Sequence, residues 1–110
     1  MSGDPGKRLP VMLAAGPALC DVLAECQRQQ QGEAYLAAHD DAHQAGELAR
    51  AAVAHVISAL DCAVWAIEFW WPKGWAPIKR KGPRADLVRA AALLIAEIER
   101  RDRIAEPGGT

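Results

Sequence analysis

The sequence has few hydroxyl side chains and none of the common phosphate-binding loops. Its hydroxyl groups are confined to Ser2, Ser58, Thr110 and the phenol of Tyr35. Ser58 falls inside an apolar helical pattern, so nothing supports a Ser–His–Asp triad. The motifs G-x-x-x-x-G-K-[ST] and G-x-G-x-x-G are both missing from the sequence. Serine-nucleophile hydrolases and the two commonest nucleotide-binding loops are therefore not expected.

Long apolar runs and metal-type cysteine spacings are missing as well. The charge-free runs Ala51–Leu60 and Ala90–Ala96 are far shorter than the roughly 20 residues that a membrane-spanning helix needs. Cys20, Cys26 and Cys62 are odd in number and lack the spacing of a zinc site. We expect reduced thiols that serve as small core residues. The first residues contain no apolar segment, which predicts no secretory signal and a cytoplasmic location.

Aromatic residues are scarce, and alanine dominates the apolar ones. Aromatics make up 5% of the 110 residues, although 51% are hydrophobic. A chain of this length forms one domain, and an alanine-rich helical core buries little area per residue, so we expect a homo-oligomer. Residues 1–72 carry four basic and nine acidic side chains, a net charge of −5, whereas residues 73–103 carry nine and four, a net of +5. A general nucleic-acid binder would be basic overall.

The spacing of apolar residues predicts an all-α fold. We expect a small bundle of three to four helices, completed by oligomerisation, in one domain over residues 18–104. Residues 1–17 contain three prolines and three glycines and are predicted to form a flexible arm. Residues 105–110 are predicted to form a disordered tail. No alternating strand pattern occurs.

Three helices and one rigid loop are expected within this domain. The second helix is expected to be capped by Asp40 or Asp41, and its continuation to Phe69 is left open. Prolines and glycines make Trp70–Pro83 a rigid loop. The predicted helices are Ala18–Gln31, Ala42–Leu60 and Arg84–Arg103.

The third helix carries two apolar stripes. Leu87, Ala91, Leu94 and Ile98 line one side, and the stripe that starts at Val88 lines another. The charged residues Asp86, Arg89, Glu97 and Arg100 share the remaining face with Leu93. Glu97 with Arg100 and Arg101 has the spacing of ordinary helix-supporting ion pairs.

The loop and the start of the third helix combine aromatic and cationic side chains. Three tryptophans and five Lys/Arg residues lie within Trp70–Arg84. Cations at a helix N-terminus favour anions, and indole rings can stack on a base, so this segment is a candidate site for a phosphorylated, ring-bearing ligand. Alternatively, the tryptophans fill the core or a subunit interface, and the cations form a solvated surface. The residues expected to hold phosphate are Lys73, Lys79, Arg84 and Arg89.

A dense polar motif, HDDAH at residues 39–43, precedes the second helix. On a helix, His39 and His43 would share a face, where a nearby carboxylate could complete a metal shell. The motif has no third ligand at a telling spacing and no glutamate between its histidines, as a zinc hydrolase helix would have. Helix capping is the first interpretation, a ribose or phosphate contact the second, and a structural zinc the third. In a ligand site, His39 or His43 would bond sugar or phosphate, and Trp75 or Tyr35 would stack on a base.

Several segments between Glu25 and Arg103 form a specific pattern. They include HDDAH at 39–43, GELA at 46–49, Trp71-Pro72 and DLVRAAALLIAEIERRDR at 86–103. Together they resemble a family of small phage and prophage proteins of unassigned function. That family carries HDDxH, GELA, a WPW-type loop and a closing DLVKAxALIxAEIERLDR. The chain departs from it at Ala34, where glycine is usual, and in its tryptophan loop. The resemblance implies a phage protein in the cytoplasm of a bacterial host.

A second set of residues comprises Glu25, Tyr35, His39, residues 46–48 and Asp86, which opens a long apolar helix. This set resembles the MazG-like all-α nucleotide pyrophosphohydrolases, which hold Mg²⁺ with an ExxE pair and an ExxD pair because a hard cation prefers oxygen ligands. The corresponding pairs in this chain are Gln44 with Glu47 and Pro83 with Asp86, so half of the carboxylates are missing. The departure favours phosphate binding without hydrolysis. If the chain is an enzyme, its metal ligands would be Asp41, Glu47, Asp86 and Glu97.

These observations leave three functional hypotheses. The first is a phage-type protein that binds a nucleotide-like phosphorylated ligand without hydrolysing it and sequesters a host defence signal. The second is a MazG-like hydrolase that needs Mg²⁺, the sole cofactor considered. The third is a protein-interaction module anchored by Trp70 or Trp71, because tryptophan and arginine are typical of binding hot spots. Neither a membrane nor a sequence-specific nucleic acid is an expected partner.

Overall fold

Four α-helices make up most of the chain that the structure describes. This computed structural model describes residues 16–32 and 46–105. No strand occurs in either range, and the prediction of a small all-α bundle is confirmed. The predicted arm and tail lie almost entirely outside the described residues. The helices are α1 (Pro17–Gly32), α2 (Glu47–Ala59), α3 (Val64–Trp70) and α4 (Pro83–Ala105).

The first and last helices begin at prolines. Pro17 opens α1 and Pro83 opens α4, positions where the missing N–H costs no helical hydrogen bond and the fixed φ suits the first turn. Gly82, just before α4, has a φ of 114°, and its carbonyl accepts the amide of Asp86 at 2.9 Å. Both helices extend beyond the predicted boundaries by no more than two residues at either end.

The second helix is shorter than predicted. It begins at Glu47 rather than Ala42, and Gly46 precedes it in the left-handed region with a φ of 82°. Glycine adopts that conformation without the steric cost that a Cβ would bring. Asp40 and Asp41, the predicted caps, lie outside the described residues, and Gly46 caps α2 without a side-chain hydrogen bond.

The helix does not continue to Phe69 without a break, because a Schellman motif ends it. Asp61 has a φ of 55°, its amide donates to Ser58 O at 3.1 Å, and the amide of Cys62 donates to Ile57 O at 3.2 Å. These are the two hydrogen bonds of that motif, with aspartate at the position that glycine usually occupies. The chain then turns through Ala63 and starts the separate helix α3.

The α2 helix lies at the centre of the packing. It packs against both α4 and α3, and α1 packs against α4. Ser58, near the end of α2, bonds Asp86, near the start of α4, whereas Leu48, at the start of α2, packs with Leu93 further along α4. The α2 and α4 helices are therefore antiparallel.

The core between these helices is small and rich in alanine. Five of its eight buried hydrophobic residues are alanines, and the others are Leu48, Ile67 and Leu93. Alanine lets two helix backbones approach closely but removes little apolar area from water. The larger apolar side chains are mostly outside this core. Those exposed are Leu19, Leu60, Val64, Trp65, Phe69, Leu87, Leu94, Ile98 and Ile104.

The charged face of α4 is buried, and one of its apolar stripes is exposed. Asp86, Glu97 and Arg100 are buried, whereas Leu87, Leu94 and Ile98 are exposed. The charged side chains remain buried because each has hydrogen-bond partners inside the bundle, as described below. Glu97 and Arg100 are therefore not the ordinary helix-surface pair that their spacing predicts.

The three cysteines do not all lie in the core. Cys20 and Cys62 are exposed and Cys26 is half-buried, so the prediction that all three thiols are core residues is wrong for the first two.

Among the described helices, none is both long enough and apolar enough to cross a membrane.

Candidate functional site

Two tryptophans of the loop between α3 and α4 lie against the core. Trp71 and Trp75 are half-buried and pack on the cluster formed by α2 and α4. Their rings meet edge to face at 5.5 Å, and Trp71 makes a similar contact with His55 at 5.4 Å. The indole N–H of Trp71 donates to Ala76 O at 2.9 Å. The indoles thus fix the loop on the bundle, and Trp75, the candidate for stacking on a base, contributes to packing.

The arginines of the candidate phosphate site have partners within the chain. Arg84 pairs with Asp21 of α1 at 2.8 Å, and Arg89 Nη1 donates to Lys79 O at 3.0 Å. Arg80 Nε donates to Ser58 Oγ at 2.8 Å. These contacts tie the loop to α1, α2 and α4. The lysines of the same segment differ, because Lys73, Lys79 and Lys81 are exposed.

A buried polar cluster joins the end of α2 to the start of α4. Asp86 is 1% exposed. Its Oδ2 accepts the Ser58 hydroxyl at 2.8 Å, and its Oδ1 accepts the Lys81 amide at 3.3 Å. His55 Nδ1 lies 3.6 Å from Asp86 Oδ1 and has no hydrogen-bond partner. The carboxylate therefore connects the loop, α2 and α4.

His55 is held neutral by its surroundings. Burial lowers its pKa below the ordinary value, although the carboxylate of Asp86 opposes that effect. The positive charge of Arg89 lowers the pKa further, and Glu25 raises it. A buried imidazole that packs against Trp71 is costly to protonate, because its charge would lose solvation. The imidazole behaves as part of the packing.

The cluster contains serine, histidine and aspartate but not the geometry of a catalytic triad. Ser58 donates its proton to Asp86 rather than to His55, so the imidazole cannot act as its base. All three side chains are buried, which leaves no space for a reacting carbonyl. The arrangement secures the packing of α2 against α4. Sequence reasoning missed it, and the available signal was a serine and a histidine three residues apart on an apolar helix.

A second buried pair lies further along α4. Glu97 accepts Arg100 Nε and Nη2, both at 2.9 Å, and Arg101 Nε at 2.7 Å. The hydrogen bond from Arg100 is the largest influence on its carboxyl group and, with Arg101, lowers the pKa from 4.5 to about 2 against the opposing effect of burial. The carboxylate therefore stays ionised, and both of its oxygens accept hydrogen bonds from guanidinium groups.

The carboxylates assigned to a magnesium site are not brought together in the described part of the chain. Asp86 and Glu97 are eleven residues apart on one helix, a separation of roughly 16 Å along its axis. Both are buried and engaged in the contacts above. No group of three or more His, Cys, Asp or Glu side chains within residues 16–32 and 46–105 could hold a metal ion. Asp41 lies outside the described residues, and Glu47 is half-buried at the start of α2.

Three further candidate ligand residues, Tyr35, His39 and His43, also lie outside the described residues.

A cleft of about 100 Å³ lies between α1 and α4. It is lined mainly by apolar side chains such as Leu23 and Leu93, with the polar groups of Gln29 and Glu99. Pockets for drug-sized ligands are typically about 300 Å³ or more. This cleft is smaller than such pockets, and none of the predicted ligand residues that the structure describes lines it.

The outer side of α3 presents large apolar side chains to solvent. Trp65 is 72% exposed and Phe69 is 60% exposed, and Val64 of the same helix and Leu60, at the end of α2, are also exposed. These four residues are called the α3 face below. Sequence reasoning did not single out Trp65. Its spacing of four residues from Phe69, just before Pro72, was the available signal.

The α3 helix is held firmly beneath this face. Ile67 is buried against α2. The guanidinium of Arg50 lies over the rings of Phe69 and Trp70, at 5.6 and 4.9 Å from their centroids, and also donates to the Phe69 carbonyl. A cation over aromatic rings contributes about 0.5–1 kcal/mol at exposed sites. Arg50 of α2 therefore ties Phe69 and Trp70 to the bundle.

No protein-family model, curated protein or solved structure matches this chain.

Proposed function

We propose that this protein is a helical interaction module that binds another protein through the α3 face. The observation that carries the proposal is the exposure of Trp65 and Phe69, at 72% and 60%, beside Leu60 and Val64 on one short segment. Isolated apolar residues on a surface are ordinary, but a contiguous group of large ones is typical of a protein interface. A tryptophan and a phenylalanine in such a group can supply a hot spot.

The way α3 is attached supports this function. The guanidinium of Arg50 packs on the rings of Phe69 and Trp70, and the amide of Trp71 continues the helical hydrogen bonding to Ile67 O at 2.9 Å. A face that is ordered before binding loses less conformational entropy when it is covered. The anchor differs from the one expected from the sequence, because Trp71 packs on the core and Trp70 is half-buried under Arg50.

Replacing Trp65 by alanine tests the proposal. A central aromatic residue of an interface contributes about 2 kcal/mol or more, which corresponds to roughly a 30-fold loss of affinity. A photocrosslinking amino acid at Phe69, in cells that contain the natural partner, should yield one dominant adduct that mass spectrometry identifies. The affinity of the purified pair should then fall about 30-fold with Trp65→Ala.

Ile98→Ala is the matched control, because Ile98 is similarly exposed but lies on α4. It should leave the affinity for that partner unchanged. The proposal fails if the crosslinker at Phe69 gives no specific adduct, or if Trp65→Ala binds the identified partner as tightly as the unmodified protein.

A second candidate function is the binding of a nucleotide-like phosphorylated ligand without hydrolysis. It is favoured by the exposed lysines Lys79 and Lys81, which contact the first turns of α4 through their backbones, and by Lys73, which is exposed earlier in the same loop. Lysine ammonium groups at a helix N-terminus attract phosphate. The resemblance to phage proteins adds the role of sequestering a host defence signal, in a homo-oligomer.

Native mass spectrometry with a panel of linear, cyclic and ADP-ribose-type nucleotides tests this second function. A bound ligand should lose about tenfold or more in affinity when Lys79 and Lys81 are both changed to alanine, because two charge-assisted contacts disappear. The double variant Arg101→Ala and Arg103→Ala removes equal charge at the far end of α4 and is the control. Binding that ignores the lysine pair, or a hydrolysed product that forms only with Mg²⁺, contradicts the candidate.

A further inference from the structure

The imidazole of His55 contains a buried nitrogen without a partner. Within residues 16–32 and 46–105, its Nδ1 is the only buried side-chain nitrogen or oxygen that makes no hydrogen bond. Buried polar groups are nearly always hydrogen-bonded, so an exception needs a physical explanation. Asp86 Oδ1 lies 3.6 Å from this nitrogen, which is longer than a hydrogen bond. The ring and the carboxylate therefore face each other without bonding.

Both ends of the loop between α3 and α4 are attached to this pair of side chains. At the start of the loop, Trp71 packs edge to face on the imidazole, with the ring centroids 5.4 Å apart. At its end, the amide of Lys81 donates to Asp86 Oδ1 over a long 3.3 Å. The same oxygen faces His55 Nδ1. A change in bonding between His55 and Asp86 therefore affects both attachments.

We propose that protonation of His55 releases the loop of residues 71–82, so that this histidine acts as an acid-sensitive latch. An imidazolium has a proton on both ring nitrogens, and its bond to a carboxylate is about 2.7–2.9 Å long. Closing the 3.6 Å separation from Asp86 moves the ring relative to Trp71. It also brings a charged donor into competition with the Lys81 amide for Oδ1. The proposal does not depend on what binds the α3 face.

Charged groups on two other helices and the loop determine when the ring takes up its proton. Burial is the largest influence and, with the positive charge of Arg89, holds the pKa of His55 below its ordinary value of 6.5. Asp86 and Glu25 favour the protonated form and oppose this shift. Arg80 reaches the cluster through the Ser58 hydroxyl. Because the unfolded chain takes up the proton at a higher pH, the stability falls as the pH drops below about 6.5.

Nuclear magnetic resonance during a titration from pH 7.5 to pH 4.5 tests the proposal. The signals of the Trp71 indole N–H and the Lys81 amide should shift together, with the same midpoint as the ring protons of His55. That midpoint should lie below the ordinary pKa of 6.5. Loop signals that stay constant while His55 titrates, or that follow a different midpoint, overturn the proposal.

Two variants separate His55 from the other titrating groups. His55→Phe keeps an aromatic ring against Trp71 but has no nitrogen to protonate, so the shift of the Trp71 indole should disappear. The double variant His39→Gln and His43→Gln changes the other two histidines and should retain it. A shift that persists in His55→Phe overturns the proposal.

Hydrogen exchange distinguishes release of the loop from movement of the ring alone. The indole N–H of Trp71 donates to Ala76 O within the loop. After correction for intrinsic exchange, its protection should fall about tenfold once His55 is protonated, because the loop opens locally. The amide of Ala52, buried in the middle of α2, should keep its protection. Unchanged protection at Trp71, or an equal loss at Ala52, overturns the proposal.

Discussion

Replacing Asp86 by alanine is expected to destabilise the protein by about 3 kcal/mol. The carboxylate accepts the hydroxyl of Ser58 and the amide of Lys81, and it is 1% exposed. Its loss would leave the buried hydroxyl of Ser58 without this acceptor, which costs about 1–3 kcal/mol, and would also remove the bond from the Lys81 amide. Small domains have a free energy of unfolding of about 5–15 kcal/mol. The substitution would therefore remove a large part of the total stability.

Urea denaturation followed by circular dichroism measures this loss. Asp102→Ala is the matched control, because Asp102 is exposed on the same helix, and surface substitutions of this kind stay within about 0.5 kcal/mol. Ser58→Ala should cost less than Asp86→Ala, since it leaves the carboxylate bonded to Lys81 N, and Arg80, the other partner of Ser58, is exposed to water. A loss below about 1 kcal/mol for Asp86→Ala would show that the cluster does not secure the bundle.

Replacing Glu97 by alanine is expected to cost about 3 kcal/mol or more. The change removes the carboxylate that accepts Nε and Nη2 of Arg100, whose side chain is 7% exposed. Breaking a buried ion pair is costly because the remaining charge has given up its solvation. The double variant Glu97→Leu and Arg100→Leu should lose less stability than Glu97→Ala, since it removes the charge together with its partner. The same urea experiment decides, and an equal or greater loss in the double variant would contradict this explanation.

The Glu97 contribution should also depend on pH. Its pKa is lowered to about 2, chiefly by the hydrogen bond from Arg100. The unfolded chain therefore takes up the proton at a higher pH than the folded protein does. The stabilisation is complete above about pH 4.5 and is lost as the pH falls towards 2. The stability difference between the unmodified protein and Glu97→Gln should shrink from pH 5 to pH 3, and a constant difference would contradict the assigned pKa.

The sequence predicts the starts of α1 and α4 to within one residue. The prolines at 17 and 83 mark the first residues of α1 and α4, where the rigid ring suits a helix start. The sequence left open whether α2 breaks near Asp61, because an aspartate stands at the left-handed position of its Schellman motif. Such a signal is weaker than the glycine that usually ends a helix.

The candidate site could be predicted only in part. The sequence marks Trp70–Arg84 as the segment that concentrates aromatic and cationic groups, but the directions of those groups depend on neighbours far along the chain. Arg80 reaches Ser58, and Arg84 reaches Asp21 on α1. Contacts of this kind depend on how the helices are aligned, which a local pattern does not contain.

The sequence alone shows that the chain is helical, where α1 and α4 begin and end to within two residues, and that alanine dominates the core. Helix propensity, proline and glycine act locally, so these features can be read from short stretches. The tertiary structure alone decided which face of α4 is buried. Periodicity shows which residues share a face of a helix, but it does not show which face is covered. In this protein α1 and α2 cover the face that holds Asp86, Glu97 and Arg100. Burial of that face is possible because its charges are satisfied by residues up to 28 positions away in the chain. The same packing leaves Leu87 and Leu94 of α4 and the rings of the α3 face in contact with water.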